Sequence, residues 1–465
     1  MSGTTALLFR FLRSEPLPPP TRYRVTRSGV IGALLVLLVA LVMHIAYLGL
    51  VGLDRSRALD FYVFYTSTRV ARLGLNPYDP GPGIDLNHKD LSEAAGAVLP
   101  RYLNVDPPFS PKLTWGFGVP YPPEGYLLFL PFSLPRWHSA LWAWLTFLTL
   151  MAAACGTLVW PAPGGGLRSP LTPAVIVALM LVNPTSELMF SLGQCSLVIC
   201  GAVALGQWAL RRGHRVVAAA VWSFCSIKPQ LGLPLIALSL PLGGWRFFRD
   251  VGLGVVLFNL VGGIVVTGNP LMILDMFESL RHYTAMYYNT PQASTTVGWN
   301  RLLYALGGPA VDLSAGKVVA GYFTACLLLF AKFLIGGRRS WAPSYWLAVC
   351  AAVPFTFALA HDYDMVILAL LIPYLLELWD HRDRLMLGLL AAALAISMIP
   401  KSVMSRASLR LLAIDDPEMG LLNAHRGLAG LTILALLLLG PTVFVRGRAS
   451  AVEAEDGGSP AGASH

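Results

Sequence analysis

Ionisable residues stand at the edges of three apolar segments of this chain, where membrane helices would end. Asp60 follows the first long apolar segment, Lys228 directly precedes a proline, and His361 opens a polar run at 361–364. Ionisable groups at membrane depth are costly, so their presence favours a functional role. A carboxylate can act as a general base, and lysine and histidine can stabilise a developing negative charge. The pattern therefore predicts a site with one acid and nearby cations.

Each of these residues also has an ordinary structural explanation. Aspartate is a favoured helix N-cap, so Asp60 could merely begin the next helix. A lysine at a helix end can extend to the interface, which would explain Lys228. Asp362 and Asp364 could cap a polar hairpin between two apolar segments. Sequence position alone leaves both explanations open.

The composition decides the class of protein that must hold these residues. The chain has 465 residues, of which 55% are hydrophobic and 13% are charged, and its mean hydropathy is +0.61. These values exclude a soluble domain and predict an all-α polytopic membrane protein. The net charge of +9 lies mainly in short loops, which is typical of cytoplasmic loops and not of nucleic-acid binding. The cysteines lie in or beside apolar segments, without metal-ligand spacing or a disulfide framework.

Polar stretches divide the chain into a membrane domain and two tails. We expect a basic cytoplasmic tail at 1–27, a single transmembrane domain at 28–448 and a disordered cytoplasmic tail at 449–465. The longest outer loops are expected at about 53–119 and 269–316. The first apolar segment is longer than the core of a signal peptide and lacks a clear cleavage site, so it reads as a first membrane helix.

The choice of which segments cross the membrane depends on one part of the chain, at 120–242. Apolar segments lie at about 30–52, 120–136, 138–160, 171–190, 193–211, 216–242, 250–268, 317–336, 343–360, 364–380, 386–402 and 425–445. Counted singly, they put the basic cluster at 211–215 outside, against the charge rule. Either that cluster is an exception, or 120–136 does not cross and 216–242 is two short helices broken at Lys228-Pro229. Both versions give about twelve transmembrane helices.

The stretch after Asp60 reads as an amphipathic helix. Between Leu59 and Asp79, apolar and small residues recur at helical spacing, while Arg69 and Arg72 lie off that stripe. The members of the stripe are Leu59, Tyr62, Val63, Thr66, Val70 and Leu73. A turn signal at 76–78 ends it. We expect this helix to lie on the membrane surface and to hold Asp60 at its start.

Further polar residues and short motifs accompany these groups. They are Tyr78, Tyr121-Pro122-Pro123, Gly193-Gln194, and, in the second outer loop, Gln292, Ser294 and Arg301. The chain has no phosphate-binding Walker loop, no run of metal ligands and no dinucleotide fingerprint. We therefore expect neither a cofactor nor a metal.

The order of these motifs resembles that of the GT-C membrane glycosyltransferases, and most closely glycosyltransferase family 87. The motifs are the acid at 60, Gly74-Leu75-Asn76-Pro77-Tyr78, Tyr121-Pro122-Pro123, Gly193-Gln194, Lys228-Pro229, Gln292-x-Ser294 and His361-x-Tyr363-Asp364. The resemblance runs from about residue 30 to residue 380. It implies a polyprenyl-phosphate sugar donor, an outward-facing site, inversion at the anomeric carbon and no required metal. The polar insert at about 81–118 is longer than the family pattern implies.

The resemblance also implies roles for individual residues. The family's catalytic aspartate corresponds to Asp60 and a functional histidine to His361. The remaining motif residues are expected to bind substrate: Lys228, Gln194, Tyr121, Tyr78, Gln292, Ser294, Arg301 and Asp364. The expected activity is transfer of a hexose, with mannose favoured over other sugars, to a glycolipid or glycan acceptor. The expected location is the non-cytoplasmic face of the cell membrane, in a multi-pass protein.

A transporter or lipid flippase is the alternative function. Twelve crossings are common in transporters, and Lys228 and His361 could line a substrate or proton path. The halves of the chain show no convincing internal repeat, and two long amphipathic outer loops suit a surface enzyme better than an alternating-access pore. A non-catalytic lipid-binding relative with the same fold is a third possibility. The sequence does not identify the acceptor.

Overall fold

The computed structural model is almost entirely α-helical in the part of the chain that it describes. The described residues are 26–53, 58–72, 76–78, 121–159, 170–284, 296–307, 314–335, 343–357, 360–380, 383–400, 403–404 and 424–438. The polar insert at about 81–118 and most of both expected tails lie outside these ranges.

The helices of the described residues are numbered here in chain order. They are α1 (Arg27–Leu53), α2 (Leu59–Arg72), α3 (Pro123–Ser133), α4 (Trp137–Ala154), α5 (Leu171–Val182), α6 (Pro184–Leu192), α7 (Ser196–Arg211), α8 (Arg215–Ser223), α9 (Pro229–Thr267), α10 (Met272–Thr284), α11 (Trp299–Gly307), α12 (Ala315–Ile335), α13 (Pro343–Ala352), α14 (Pro354–Phe357), α15 (Ile372–Asp380), α16 (Arg384–Ser397) and α17 (His425–Leu438). Three 3₁₀ segments, Cys155–Val159, Phe224–Ile227 and Asp362–Leu371, and two strands, β1 (Thr296–Val297) and β2 (Ala360–His361), complete the described fold.

Several helices are long and apolar enough to cross a membrane. By length and composition, four described stretches qualify: Arg27–Val51, Trp137–Val159, Pro229–Thr267 and Gly316–Leu334. Helices α5 and α6, bent by 53° at Asn183, give a fifth if they form one span. The all-α membrane class is thus confirmed, while the count of about twelve crossings stays a prediction.

Large apolar side chains cover the outside of these helices. Leu34 and Leu38 on α1 are 62% and 58% exposed, and Leu253 and Leu257 on α9 are 59% and 57% exposed. A soluble protein rarely exposes apolar surface on this scale, because contact with water is unfavourable. The hydrocarbon core of a bilayer removes that cost, so these faces are suited to contact with lipid.

Helix α9 is a hairpin with two arms. Gly244 has φ 76° and ψ −179°, a conformation that glycine adopts readily, and it breaks the helix. The second arm returns beside the segment that precedes the first: the rings of Phe224 and Phe258 stack with centroids 5.0 Å apart. A straight helix of 39 residues would be about 58 Å long, roughly twice the hydrocarbon thickness.

The hairpin brings two basic turns to the same end of the bundle. Arg215 Nε lies 2.9 Å from Asp250 Oδ2, which joins the turn after α7 to the turn at 245–249. The intervening chain breaks at Lys228, whose φ of −120° and ψ of 87° are not helical. Helix α3 has 11 residues, about 16 Å, and is too short to cross by itself. These are the features of the second topology, in which 120–136 does not cross and 216–242 is broken.

Helix α2 forms as the spacing predicts, and other helices cover more of it than the predicted stripe. Phe61 stacks between two rings, with centroid distances of 5.6 Å to Trp137 and 5.4 Å to Trp144. Phe64 stacks on Phe129 at 4.4 Å. These aromatic residues lie off the stripe, and burying each of them is favourable. Helix α2 is therefore packed against α3, α4 and α6, and its expected position at the membrane surface stays a prediction.

A short ladder joins two distant loops. Strands β1 and β2 pair antiparallel, with Thr296 opposite His361 and Val297 opposite Ala360. Helix α11 begins two residues after β1, and a 3₁₀ segment begins directly after β2. The chain at 296–297 is thereby held next to the polar run at 361–364.

Candidate active site

Asp60 lies inside α2, one residue after its first residue. The helix begins at Leu59, so Asp60 is not its N-cap. The side chain is partly buried, and its Oδ2 accepts a hydrogen bond from Gln194 Nε2 at 2.7 Å. The capping explanation thus fails for Asp60, because its carboxylate contacts a residue of another element.

The turn that presents Gln194 fits closely against α2. Gly193 ends α6 in the left-handed region with φ 69°, and its carbonyl accepts a hydrogen bond from Trp144 Nε1 at 2.8 Å. A Cβ at Gly193 would lie 2.5 Å from Cβ of Phe61, the residue after Asp60. Only glycine meets both the backbone and the space requirement, so this turn determines where the Gln194 amide meets the acid.

Tyr121 orients the Gln194 amide from the other side. Its hydroxyl donates to Gln194 Oε1 at 3.0 Å, and the amide NH₂ therefore faces Asp60. The Tyr121 backbone carbonyl accepts a hydrogen bond from the Tyr78 hydroxyl. Its ring packs edge-on against Phe64 of α2, with centroids 4.8 Å apart. The motifs at 78, 121 and 194 thus converge on Asp60.

Lys228 is enclosed within the protein and does not extend to the interface. Its Nζ donates to Asp364 Oδ1 at 2.7 Å and to Ser196 Oγ at 3.1 Å, and the residue is 2% exposed. Ser196 Oγ also donates to Asp364 Oδ1 at 2.6 Å. Pro229 begins α9, and the chain is not helical at Lys228. This break directs the Lys228 side chain toward the cluster.

Two aromatic rings flank the Lys228 ammonium. Nζ lies 4.7 Å from the ring centroid of Tyr363 and 5.9 Å from that of Tyr121, within the range of cation–π attraction. The His361 ring stacks on Tyr363 at 5.3 Å. Tyr121 therefore contacts both the acid's partner, Gln194, and the cation.

Asp364 holds this cluster together. Besides the two bonds to Oδ1, its Oδ2 accepts the backbone N–H of His361 at 3.1 Å. Asp364 is fully buried, and a buried carboxylate is tolerated only when it is paired and hydrogen-bonded. The predicted substrate-binding Asp364 is thus engaged with Lys228, Ser196 and the His361 backbone.

The acid and the cation are electrostatically linked. Burial raises the pKa of Asp60 to about 6, while the Gln194 hydrogen bond and the Lys228 charge lower it and the Asp364 charge raises it. Lys228 and Asp364 are thus close enough to act on Asp60. A carboxylate with this pKa is ionised at neutral pH and is a stronger base than an exposed aspartate.

The stretch expected to form the second outer loop includes helix α11, which carries Arg301. Arg301 is 2% exposed and lies in α11, which the β1–β2 ladder holds beside His361. Gln292 and Ser294 lie outside the described residues. In the described part of the chain, no group of three or more His, Cys, Asp or Glu residues could hold a metal ion.

Sequence reasoning missed three residues of this region. Ser196 follows Gln194 by two positions, but serine before an apolar run carries no signal beyond helix initiation. Glu124 directly follows Tyr121-Pro122-Pro123, a carboxylate at the start of an apolar segment that the site prediction did not include. Arg426 pairs with Asp362, Nη1 to Oδ2 at 3.1 Å, and thereby joins α17 to the 361–364 run.

The arrangement combines the parts that group transfer to a hydroxyl requires. Asp60 supplies a carboxylate whose Oδ2 is positioned by Gln194, and the buried ammonium of Lys228 lies in the same cluster. A positioned base can take the proton of an attacking hydroxyl, and a fixed cation can stabilise an anionic leaving group.

Comparison with known proteins agrees with this chemistry. The model of glycosyltransferase family 87 matches residues 120–360, which is more than half of the chain. Tyr121, Gln194, Lys228 and Arg301 lie within the match, whereas Asp60 lies before it. No curated protein and no solved structure matches this chain. The extent of the family match shows that the chain belongs to glycosyltransferase family 87.

Proposed function

We propose that this glycosyltransferase transfers a hexose from a polyprenyl-phosphate sugar to a hydroxyl of a glycolipid or glycan. The proposed hexose is mannose. Asp60 acts as the general base, and the sugar's anomeric configuration is inverted. The observation that carries the proposal is the contact of Gln194 with Asp60 in a cluster that also buries Lys228. The flippase alternative is not retained, because the chain belongs to a glycosyltransferase family.

The proposed reaction is a single displacement. The acceptor oxygen forms a bond to the anomeric carbon while the bond between that carbon and the phosphate oxygen breaks. The acceptor proton passes to Asp60, and the electron pair of the breaking bond leaves with the polyprenyl phosphate. Attack from the face opposite the leaving group inverts the anomeric carbon. A positioned base contributes roughly a hundred- to ten-thousand-fold to such a step.

Lys228 is the proposed partner of the departing phosphate, and His361 and Arg301 are further candidates for the same role. An ammonium has three N–H donors, and Asp364 and Ser196 accept from Lys228, so it has capacity for one more acceptor. Its attachment to Asp364 and two aromatic rings fixes its position. A cation that is already in place need not reorganise as charge develops.

The apolar outer surface supports a donor with a lipid tail. The site lies at the end of helices whose outer faces expose leucine and valine, and a lipid-linked sugar can approach from the bilayer. The two basic turns at 211–215 and 245–249 lie at the opposite ends of α8 and of the first arm of α9. If these turns are cytoplasmic, as positive charge favours, the site faces the other side of the cell membrane.

A transfer assay with four donors tests this proposal. Purified enzyme in lipid nanodiscs receives membrane glycolipids as acceptors and one of polyprenyl-phosphate mannose, glucose or arabinose, or a nucleotide-linked mannose. We expect a mannosylated lipid and free polyprenyl phosphate from the first donor, with inverted anomeric configuration. Transfer from the nucleotide sugar alone would overturn the donor class. Preference for polyprenyl-phosphate glucose would overturn mannose only, whereas preference for arabinose, a pentose, would overturn the hexose as well.

A further inference from the structure

Glu124 is a buried carboxyl group that the proposed reaction does not use. It lies in the first turn of α3 and is fully buried. Its Oε1 forms a hydrogen bond with Ser226 Oγ, and its Oε2 accepts from Asn259 Nδ2 at 3.2 Å. Ser226 belongs to the 3₁₀ segment before Lys228, and Asn259 belongs to the second arm of α9. Glu124 therefore connects three elements at one point.

The number of available hydrogens indicates the protonation state of Glu124. Ser226 Oγ lies 2.6 Å from the backbone carbonyl of Ser223 as well as against Glu124. A serine hydroxyl has one hydrogen, and a backbone carbonyl can only accept. When Ser226 donates to Ser223, the hydrogen in its contact with Glu124 must belong to the carboxyl group. The geometry is therefore satisfied by a carboxylic acid, and an ionised Glu124 would leave one of the two contacts without a hydrogen.

The surroundings of Glu124 favour the same state. Among the described residues, no lysine, arginine or histidine forms an ion pair with it. Two titratable neighbours of Glu124 among the described residues are Tyr78 and Cys225, and neither side chain carries positive charge in any protonation state. An ionised carboxyl that is buried without a cation is costly, and the group takes up a proton instead.

The elements around Glu124 are packed too closely to move independently. A Cβ at Gly262 of the second arm would lie 2.4 Å from the carbonyl oxygen of Pro123. A Cβ at Gly232 of the first arm would overlap the carbonyl of Cys225. Lys228 lies two residues beyond Ser226, so the hydrogen bond between Ser226 and Glu124 restrains the backbone that presents the lysine.

We propose that Glu124 is an uncharged carboxylic acid that positions the Ser226–Lys228 turn, and through it the Lys228 ammonium, against the hairpin α9. As one group it donates to Ser226 and accepts from Asn259. An ionised carboxylate can only accept, and a shorter side chain does not reach both partners. The effect on Lys228 rests on the proposed function, whereas the protonation state of Glu124 does not.

Three substitutions of Glu124 test the proposal. Glutamine is the informative one, because its amide can donate and accept hydrogen bonds as a neutral carboxylic acid does. Glu124→Gln is expected to keep sugar transfer and the wild-type dependence of kcat/KM on pH. Glu124→Ala is expected to lose transfer about tenfold to a hundredfold, and Glu124→Asp is expected to fall between them. If Glu124→Gln loses as much as Glu124→Ala or changes the pH profile, Glu124 acts in its ionised form and the proposal fails.

Infrared difference spectroscopy measures the protonation state without any sugar transfer. The wild-type enzyme and Asp60→Asn are both expected to show a protonated-carboxyl C=O band at pH 7 that is missing from Glu124→Gln. Absence of that band from both the wild type and Asp60→Asn would overturn the proposal, even if the enzyme is active. If Glu124→Gln fails to fold, as judged by size-exclusion chromatography, the neutral-acid assignment is also overturned. If no polyprenyl-phosphate sugar is used, the band still decides the state of Glu124.

Discussion

Lys228 and Asp364 form a buried ion pair, with Nζ 2.7 Å from Oδ1, between positions 136 residues apart in the chain. Asp364 also binds Ser196 and the backbone of His361. Pairing allows both charges to be buried, and it keeps a cation close enough to influence Asp60. The pair thus links the helix break at 228 with the polar run at 361–364.

This ion pair predicts that stability and transfer respond differently to substitution. Lys228→Met leaves the Asp364 carboxylate buried without its cation, so we expect a loss of about 3–5 kcal/mol in the free energy of unfolding. The double variant Lys228→Met with Asp364→Leu removes both charges and should recover much of that loss while remaining inactive. Unfolding in detergent, with exposed Lys317→Met as the matched control, measures the stability. Recovery of transfer in the double variant would contradict the role of Lys228.

Replacing the proposed base should abolish transfer without unfolding the enzyme. Asp60→Asn keeps the shape of the side chain but cannot accept the acceptor's proton, so we expect kcat to fall roughly a hundred- to ten-thousand-fold. Asp250→Asn makes the same chemical change at the other end of the bundle, where Asp250 contacts Arg215 and Arg249, and should stay near wild type. Near-normal transfer by Asp60→Asn would show that another group takes the proton.

The raised pKa of Asp60 predicts a pH dependence with a definite direction. Transfer requires the ionised carboxylate, so kcat/KM should be constant above the pKa of about 6 and fall as pH decreases below it. The Gln194 hydrogen bond lowers this pKa, so Gln194→Leu should move the midpoint to higher pH. The shift is measured from initial rates of the wild type and Gln194→Leu. The rates are taken between about pH 5 and pH 8, the range in which such a group titrates. A midpoint that moves to lower pH in Gln194→Leu would contradict this account.

The fit of Gly193 against α2 predicts an unusually costly alanine substitution. Gly193 and Gly213 both have positive φ, 69° and 83°, so alanine at either should cost about 1–2 kcal/mol of stability. A Cβ at Gly193 would overlap Phe61, whereas nothing lies within 4 Å of a Cβ at Gly213. Gly193→Ala should therefore be the less stable variant and also lose transfer, because Gln194 is displaced from Asp60. Unfolding and transfer assays on both variants test this. Equal effects would show that the contact with Phe61 is unimportant.

Properties that depend on residues adjacent in the chain were predictable from the sequence. Long apolar segments determine that helices such as α1 and α4 can enter a membrane, because the transfer free energy is a sum over consecutive side chains. The helical spacing after Leu59 predicted α2, and Pro229 marked the break at Lys228. The order of short motifs identified the family, which the family match confirmed.

The contacts of the candidate site were decided by the tertiary structure alone. Gln194 and Asp60 are 134 positions apart, and no local pattern could pair them. The enclosure of α2 depends on Trp137 and Trp144, and the hairpin in α9 depends on the φ of Gly244. Hydrophobicity and charge are properties of each residue and its neighbours, whereas a hydrogen bond requires two groups to meet within about 3 Å. The sequence by itself therefore determined the class of protein and the candidate residues, and only the packing of the helices decided which of them meet.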